Sequence, residues 1–276
     1  LSRVDGLAKV TGTAPYAAEY KIDNVAEGVL VTAPITRGEV TSIDKDSVLS
    51  MPGVLAVLDD ERLTTRAAQG TANEAPQQDP ATVCYWGQPI AIVVAETFEQ
   101  ARDAAKHLKV EYRVHEGAPL DPHQVAPEEQ EDETVNQGDL DAAMARAAHT
   151  VDVEIATEGH ASAAMEPHAA IAEWRDDKLT VHASLQMPNY NIAELADSLG
   201  MEENDIRLVS RYVGGGFGSK LGISEETVAA AIAARELGRP VRVVMSRQQV
   251  FQCIMRRSET TQKLRLASDE EGKLDG

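Results

Sequence analysis

The chain is poor in cysteine. Cys84 and Cys253 are its only two cysteines, and their spacing matches no metal-binding pattern. We therefore expect two reduced, partly buried thiols and no disulfide.

Aromatic residues make up only 4% of the chain, and no apolar run reaches the ~18 residues of a membrane-spanning helix. The first residues show no charged segment followed by an apolar stretch, so no signal peptide is predicted. Positive charge is also scarce, because 26 Lys and Arg stand against 45 Asp and Glu, a net charge of −19. A field of that sign repels phosphate and anionic lipid, so we expect neither nucleic acid as a partner nor membrane insertion. The acidity can also serve solubility alone.

What the chain does contain is typical of a globular α+β protein with two domains. Hydrophobic residues are 43% and charged residues 26% of the 276 positions. The continuous apolar run Pro89–Ala95 predicts a strand buried on both faces. Thr97 and Gln100 form a capping box that opens a helix, and Val110–Val114 predicts the next strand. Residues 89–114 are therefore predicted to form a strand–helix–strand unit.

An acidic linker, residues 117–138, is predicted to separate residues 1–116 from residues 139–276. Within it, Ala126–Glu133 carries almost no apolar side chain. Such a segment cannot bury enough surface to offset the entropy of ordering it.

The second half restarts with Asp139 as a predicted helix cap, and apolar alternation over residues 151–155 predicts a strand. Asn189–Leu199 predicts a helix that ends at Gly200. The turn Asp269–Gly272 predicts a hairpin that has only begun where the sequence stops. We therefore expect a truncated or split polypeptide.

A glycine-rich loop, Gly214–Gly218, lies between a predicted strand (Ile206–Val209) and a predicted helix (Ser224–Leu237). Glycine permits positive φ and close approach to a ligand, and such a turn before a helix presents N–H groups to an anion or oxo group. Phe217 has no core partner in the local pattern and is free to line a pocket. A purely structural turn remains an alternative.

Two nucleotide-binding motifs match this loop incompletely. A Walker phosphate loop requires G-x-x-x-x-G-K-[ST], whereas Lys220 follows Ser219 and precedes Leu221. A dinucleotide fingerprint requires a third glycine where Ser219 stands. A nucleotide-binding α/β domain is therefore a weaker alternative.

Other candidate residues offer polar chemistry without a hydrolytic motif. Gln186, after the predicted strand Leu179–Ser184, offers one acceptor and two donors, or it simply satisfies a loop backbone group. Glu166 and His168 are an acid–base or metal pair or, as we favour, a hydrogen-bonded corner. No histidine pair has the HExxH spacing and no serine lies in a G-x-S-x-G motif, so neither a zinc nor a serine hydrolase is predicted.

Five short motifs occur in order along the chain. They are Asp5–Tyr16, Gly87–Glu96, Met165–His168, Leu185–Pro188 and Gly214–Gly218. In this order they resemble the molybdenum-cofactor-binding large subunit of the xanthine oxidase family, in particular that of bacterial aldehyde dehydrogenases built from three kinds of subunit. Each motif is weak alone, but five in register are specific, and they span nearly the whole chain.

The resemblance implies a fold and a cofactor. Residues 1–116 are then an α/β hammerhead-like domain, and residues 139–276 are the first part of a mixed α+β molybdopterin-binding domain. The implied cofactor is molybdenum–molybdopterin, expected in its cytosine dinucleotide form. Two cysteines cannot hold the family's [2Fe–2S] clusters, so an iron–sulfur subunit, an FAD subunit and the remainder of the molybdenum-binding subunit are the expected partners.

The resemblance also implies site residues. Gln186 is the catalytic glutamine that reaches an oxygen ligand of molybdenum, and Phe217 restricts access to the reacting oxygen. Gly215, Gly216 and Gly218 bind the cofactor together with these two residues, and no side chain ligates the metal directly. The family's catalytic base, a glutamate in a Gly-x-Gly-Glu segment, has no match here and is expected outside this chain.

Position 221 bears on the substrate. Purine hydroxylases of the family carry glutamate there, whereas Leu221 would make an apolar substrate pocket with Phe217. The expected reaction oxidises an aldehyde to a carboxylic acid with water as the oxygen source. Hydroxylation of purines or N-heterocycles and a non-catalytic binding or assembly module are the alternatives. The expected compartment is the cytoplasm, or the periplasm if a partner carries an export signal.

Overall fold

A computed structural model describes residues 3–63, 81–117, 135 and 137–274. Within them the strands are β1 (Ala26–Thr32), β2 (Gly38–Asp44), β3 (Val54–Leu58), β4 (Thr82–Val83), β5 (Pro89–Ala95), β6 (Lys109–Val114), β7 (His149–Thr157), β8 (Ala169–Arg175), β9 (Lys178–Ala183), β10 (Ile206–Val209), β11 (Val241–Val244) and β12 (Thr260–Ser268). The helices are α1 (Gly6–Val10), α2 (Asp46–Leu49), α3 (Phe98–His107), α4 (Leu140–Arg146), α5 (Pro188–Leu199), α6 (Glu225–Leu237) and α7 (Arg247–Cys253). This mixture confirms the predicted α+β class.

The chain divides into two compact units, each built from separate stretches of sequence. Unit 1 draws on residues 1–116 and 161–255, and unit 2 draws on residues 117–160 and 256–276. The units therefore do not follow the predicted sequence segments, whose boundaries remain a prediction. The acidic segment Ala126–Glu133 lies outside the described residues.

The main sheet of unit 1 has seven strands in the order β10-β9-β8-β11-β1-β5-β3. The pairs β9–β10 and β1–β11 are parallel, and the other neighbours are antiparallel. Helix α6 lies against β8 and β11, and α3 lies against β1 and β5. Strands from both halves of the sequence thus share one core.

Strand β5 is buried along its whole length, as its continuous apolar run predicts. Ile92 and Val94 join the hydrophobic cluster that contains the buried residues of α6. Ala91 and Val93 join a second cluster, with Ala104 of α3. Because side chains alternate along a strand, the two clusters occupy opposite faces of the sheet.

The segment after β5 confirms the predicted helix but corrects its context. Gln100 N donates to Thr97 Oγ1 at 3.3 Å and Thr97 N donates to Gln100 Oε1 at 3.2 Å, which completes the capping box. Strand β6, however, joins a separate three-stranded sheet of order β4-β2-β6. The two strands of the predicted strand–helix–strand unit therefore lie in different sheets.

Unit 2 contains α4 and the antiparallel pair β7–β12, registered from His149 opposite Ser268 to Thr157 opposite Thr260. Asp139 caps α4 by accepting from Ala142 N at 2.9 Å, as predicted. Across the predicted hairpin turn, Ser268 and Leu274 form an isolated antiparallel bridge. The extended partner of β12 is β7 instead.

The structure bears on the predictions for the two cysteines and for a membrane-spanning helix. Cys84 and Cys253 form no disulfide, and Cys84 is exposed, so the expected partial burial holds only for Cys253. None of the helices in the described ranges combines the length and apolar character that crossing a bilayer demands.

Gly28 in β1 leaves no room for a side chain. A Cβ there would lie 2.8 Å from Ile92 Cδ1 and 2.9 Å from Val243 Cγ2. Both neighbours are packed core atoms, so we expect Gly28→Ala to lower the free energy of unfolding by about 1–3 kcal/mol. Urea unfolding measures this loss. Gly6→Ala, whose Cβ would meet nothing closer than 3.4 Å, is the control, and equal stability of the two variants would contradict the prediction.

Candidate functional site

The sheet topology brings Gln186 and the glycine loop to one edge. Strands β9 and β10 are parallel neighbours, with Val209 opposite His182. The carboxyl ends of parallel neighbours lie side by side, so the segments that follow them start together. Gln186 follows β9, and the Gly214–Gly218 loop follows β10.

The loop backbone has positive φ at three positions. Gly215 has φ 101°, Gly218 has φ 95°, and Phe217 adopts φ 54° although it carries a side chain. Such a conformation is uncommon for a bulky residue and is retained only where the surroundings impose it. The Phe217 ring passes Gly215 so closely that a Cβ there would lie 2.9 Å from its Cε2, yet the residue is 68% exposed.

Gln186 is held against this loop by three hydrogen bonds. Its side-chain Oε1 accepts from Gly218 N at 3.0 Å and from Lys220 N at 3.3 Å. Its backbone N–H donates to Lys220 O at 2.8 Å. A Cβ on Gly216 would lie only 2.3 Å from Oε1, so this glycine makes room for the carboxamide. No residue in the described part of the chain accepts from Gln186 Nε2, which leaves two donor hydrogens for a ligand.

Three consecutive N–H groups of the loop are also available. Within the described ranges, the amides of Gly215, Gly216 and Phe217 have no acceptor, although Gly216 is buried. Buried N–H groups are nearly always paired, and successive amides in a glycine loop form an anion-binding concavity. These three amides and Gln186 Nε2 together form a set of hydrogen-bond donors that can bind a ligand.

Glu166 anchors the loop from the opposite side. Its Oε2 accepts from Gly214 N at 2.6 Å and from Ser184 Oγ at 2.5 Å. Its backbone N–H donates to Gly214 O at 3.2 Å. This confirms the hydrogen-bonded corner that we favoured for Glu166 and His168, and no acidic, histidine or cysteine cluster fit for a metal occurs among the described residues.

Lys220 completes the anchor, whereas in the sequence it stands out only through its mismatch with the Walker motif. Its side chain is 0% exposed. Its Nζ donates to Ser184 Oγ at 2.8 Å, to Glu166 O at 3.0 Å and to Glu166 Oε2 at 3.1 Å. Burial lowers the pKa of Lys220, and the Glu166 carboxylate opposes that effect. The sequence feature that could have indicated this role is the position of the lysine between a glycine loop and an apolar helix.

His168 fixes the far end of the loop. It is 2% exposed, and its Nε2 lies 3.0 Å from Ser219 O, so Nε2 carries the proton. Its Nδ1 is buried without a hydrogen-bond partner among the described residues. Burial, the largest influence, lowers the pKa of His168, and Lys220 also lowers it, whereas the hydrogen bond to Ser219 and the carboxylates of Glu225 and Glu166 act in the opposite direction.

Leu221 lies just after the anchor, and its carbonyl accepts from Asn191 Nδ2 of α5 at 2.7 Å. The residue is half-buried. A cavity of about 370 Å³ beside the loop has Tyr16, Met165, Pro167, Gly214 and Val244 among its lining residues. Neither Leu221 nor Phe217 lines that cavity, so their shared pocket remains a prediction.

Two protein families match the chain. The molybdopterin cofactor-binding domain matches residues 120–276, more than half of the chain. The a/b hammerhead domain of aldehyde oxidase and xanthine dehydrogenase matches residues 11–116. The predicted architecture, a hammerhead domain followed by the first part of a molybdopterin-binding domain, is confirmed.

Similar proteins include subunits of enzymes that differ in activity. The aldehyde oxidoreductase molybdenum-binding subunit PaoC of Escherichia coli (strain K12) is 39% identical over 277 residues, covering 99% of this chain and 38% of PaoC. The nicotine 6-hydroxylase large subunit of Paenarthrobacter nicotinovorans is 29% identical, covering 99% of this chain and 36% of the relative. The putative xanthine dehydrogenase molybdenum-binding subunit XdhA of Escherichia coli (strain K12) is also 29% identical, covering 99% and 39%. The chain thus spans less than two fifths of each relative.

Solved structures show the same fold. Quinoline 2-oxidoreductase from Pseudomonas putida 86 superposes with a TM-score of 0.86 at 23% identity, covering 99% of this chain and 38% of that one. Aldehyde oxidoreductase from Desulfovibrio gigas superposes with a TM-score of 0.85 at 25% identity, covering 99% and 33%. The likeness extends over nearly all of this chain.

Gly216→Ala should displace the Gln186 carboxamide without unfolding the protein. The added Cβ meets Oε1, Cδ and Cγ of the flexible Gln186 side chain. Because two backbone amides lose their acceptor, we expect a stability loss of about 1–3 kcal/mol. The amides of Gly218 and Lys220 lose their acceptor and should exchange with solvent faster. Amide hydrogen exchange measures this, with Gly159→Ala as the control, since its Cβ would meet only ordinary contacts from 3.6 Å outward. Unchanged exchange at both amides would show that the carboxamide stays in place.

His168 should make the protein less stable in mild acid. Its folded-state pKa lies below the ordinary value of 6.5, so the unfolded state binds the proton more readily. The free energy of unfolding should therefore fall as pH drops below roughly 6.5, by at most about 1.4 kcal/mol per pH unit. Denaturant unfolding between pH 7.5 and 5 measures the slope. His168→Gln, which keeps a donor for Ser219, should flatten it, and an unaltered slope would assign the dependence to other groups.

Proposed function

Because the chain belongs to the aldehyde oxidase and xanthine dehydrogenase family of molybdopterin cofactor-binding subunits, we propose that it forms part of a molybdenum-dependent aldehyde oxidoreductase. The proposed reaction converts an aldehyde to a carboxylic acid with water as the oxygen source. One observation carries the proposal: the Gln186 carboxamide is fastened to a glycine loop in which three N–H groups have no acceptor among the described residues. The chain spans 38% of PaoC, so the activity of the whole protein is part of the proposal.

The residues present fit a molybdenum–pterin group. When bound, the group would supply a redox-active and Lewis-acidic metal. The loop offers amide donors, which suit oxygen atoms around such a metal. The absence of a Cβ at Gly216 keeps the Gln186 carboxamide in its position.

Each site residue has a proposed task. Gln186 donates from Nε2 to an oxygen of the cofactor, while the amides of Gly215, Gly216 and Phe217 donate from the loop. Donors fixed in advance stabilise developing negative charge without having to reorient during the reaction. The exposed ring of Phe217 would restrict the approach of substrate and water.

Two observations favour an aldehyde over a purine. Leu221 stands where purine hydroxylases of this family carry a glutamate, and a leucine offers a purine edge no hydrogen bond. Identity to the aldehyde oxidoreductase subunit PaoC is 39%, against 29% to XdhA. We propose aromatic or bulky aliphatic aldehydes as substrates, in a pocket that includes Leu221 and Phe217.

The remaining components are proposed to lie outside this chain. They are the catalytic base, the remainder of the molybdenum-binding subunit, an iron–sulfur subunit with [2Fe–2S] clusters and an FAD subunit that receives the electrons. The pterin is proposed in its cytosine dinucleotide form. The complex would work in the cytoplasm, or in the periplasm if a partner carries the export signal.

Metal analysis and turnover of the purified native complex test the proposal. We expect about one molybdenum and one pterin per molybdenum-binding subunit, and kcat/KM for benzaldehyde at least tenfold above that for xanthine. Preferential xanthine oxidation would overturn the substrate assignment. A complex with bound nucleotide but no molybdenum would overturn the function itself, and absence of both would point to a binding or assembly module.

A further inference from the structure

Lys220 is the only lysine or arginine among the buried residues of the described chain. Each of its three ammonium hydrogens has an acceptor, in Ser184 Oγ, Glu166 O and Glu166 Oε2. A lysine is almost never fully buried unless its charge is paired in this way. We call Glu166, Ser184 and Lys220 the anchor cluster.

The anchor cluster grips the glycine loop at both ends. Gly214 N and Lys220 Nζ donate to the same oxygen, Glu166 Oε2, at 2.6 and 3.1 Å. Between these two points lie Gly215, Phe217 and Gly218, all with positive φ. A short segment held at both ends on one atom has little freedom, which explains how Phe217 keeps a conformation that is costly for a residue with a side chain.

The same cluster reaches Gln186 through the backbone of Lys220. Lys220 N donates to Gln186 Oε1 at 3.3 Å, and Lys220 O accepts from Gln186 N at 2.8 Å. Any displacement of Lys220 would therefore move the carboxamide. Ser184, at the end of β9, ties the cluster to the sheet by donating to Glu166 Oε2 at 2.5 Å.

Stability alone does not account for such a cluster. Burying two charges requires desolvating both, and replacing a buried ion pair with apolar groups of similar volume is often neutral or stabilising. The cluster does specify geometry, since its bonds are directional and converge on one carboxylate. We propose that Glu166, Ser184 and Lys220 are positioning residues that orient the Gly214–Gly218 loop and the Gln186 carboxamide toward the cofactor. This inference rests on the proposed function of the loop.

Variants that remove one or both charges of the anchor cluster, made in the purified native complex, distinguish a role in positioning the loop from a role in stability. Lys220→Met and Glu166→Gln each remove one charge at nearly constant size, and the double variant removes both. Lys45→Met is the control, because Lys45 pairs with Asp59 at 2.6 Å on the exposed surface. Thermal unfolding, amide hydrogen exchange of residues 212–220, molybdenum content, and kcat and KM for benzaldehyde are measured for each.

We expect each single variant to unfold at a lower temperature, because it leaves one buried charge unpaired. The double variant should recover at least half of that loss. Its loop amides should nevertheless exchange at least tenfold faster than in the wild type, and its kcat should stay at least tenfold lower with KM within threefold. Lys45→Met should match the wild type throughout.

Recovery of wild-type loop exchange and kcat in the double variant would overturn the inference and leave the cluster a purely structural role. If the double variant does not assemble, the Ser184→Ala variant tests the positioning role instead. It keeps both charges and removes only the Ser184 hydroxyl, which hydrogen-bonds to both Glu166 and Lys220. Loop exchange two- to fivefold faster than wild type then supports positioning, and unchanged exchange overturns it. If the wild-type complex contains no molybdenum, the proposed function fails, and loop exchange alone decides the positioning role by the same criteria.

Discussion

The contact between Lys220 and Glu166 holds together three segments that are far apart in the sequence. One carboxylate oxygen accepts hydrogen bonds from Gly214, Ser184 and Lys220. The ammonium group is fully buried, so it has no water to replace this partner, and loss of either charge leaves the other unpaired. The glycine loop and Gln186 both take their positions from this point.

The sheet makes that convergence possible. Parallel pairing of β9 with β10 starts the Gln186 segment and the loop side by side. Helix α6, which follows the loop, is buried from Glu225 to Ala234 against the same sheet. The loop is thus held between a strand end and a helix start in a rigid core, where its unusual φ angles can persist.

The site is built from donors, in a chain whose net charge is −19. Among the described residues, three backbone N–H groups of the loop and the Nε2 of Gln186 have no acceptor, while the charged side chains of Glu166 and Lys220 are paired with each other. Backbone amides carry no net charge and cannot titrate, so their direction is set by the fold alone. A site of this kind selects a group by the position of its oxygen atoms.

Local chemistry in the sequence determined several elements. The apolar run of β5, the capping box of α3 and the stop of α5 at Gly200, which has φ 67°, depend on neighbouring residues and backbone preference. The glycine loop and Gln186 lie in two of the five ordered motifs that carry the family resemblance, and their roles come from that resemblance. Only the tertiary structure decided that β5 and β6 lie in different sheets, that Lys220 is buried on Glu166 and that Gly216 makes room for Gln186. Such contacts join residues distant in sequence, and they depend on which surfaces pack together, which no local pattern specifies.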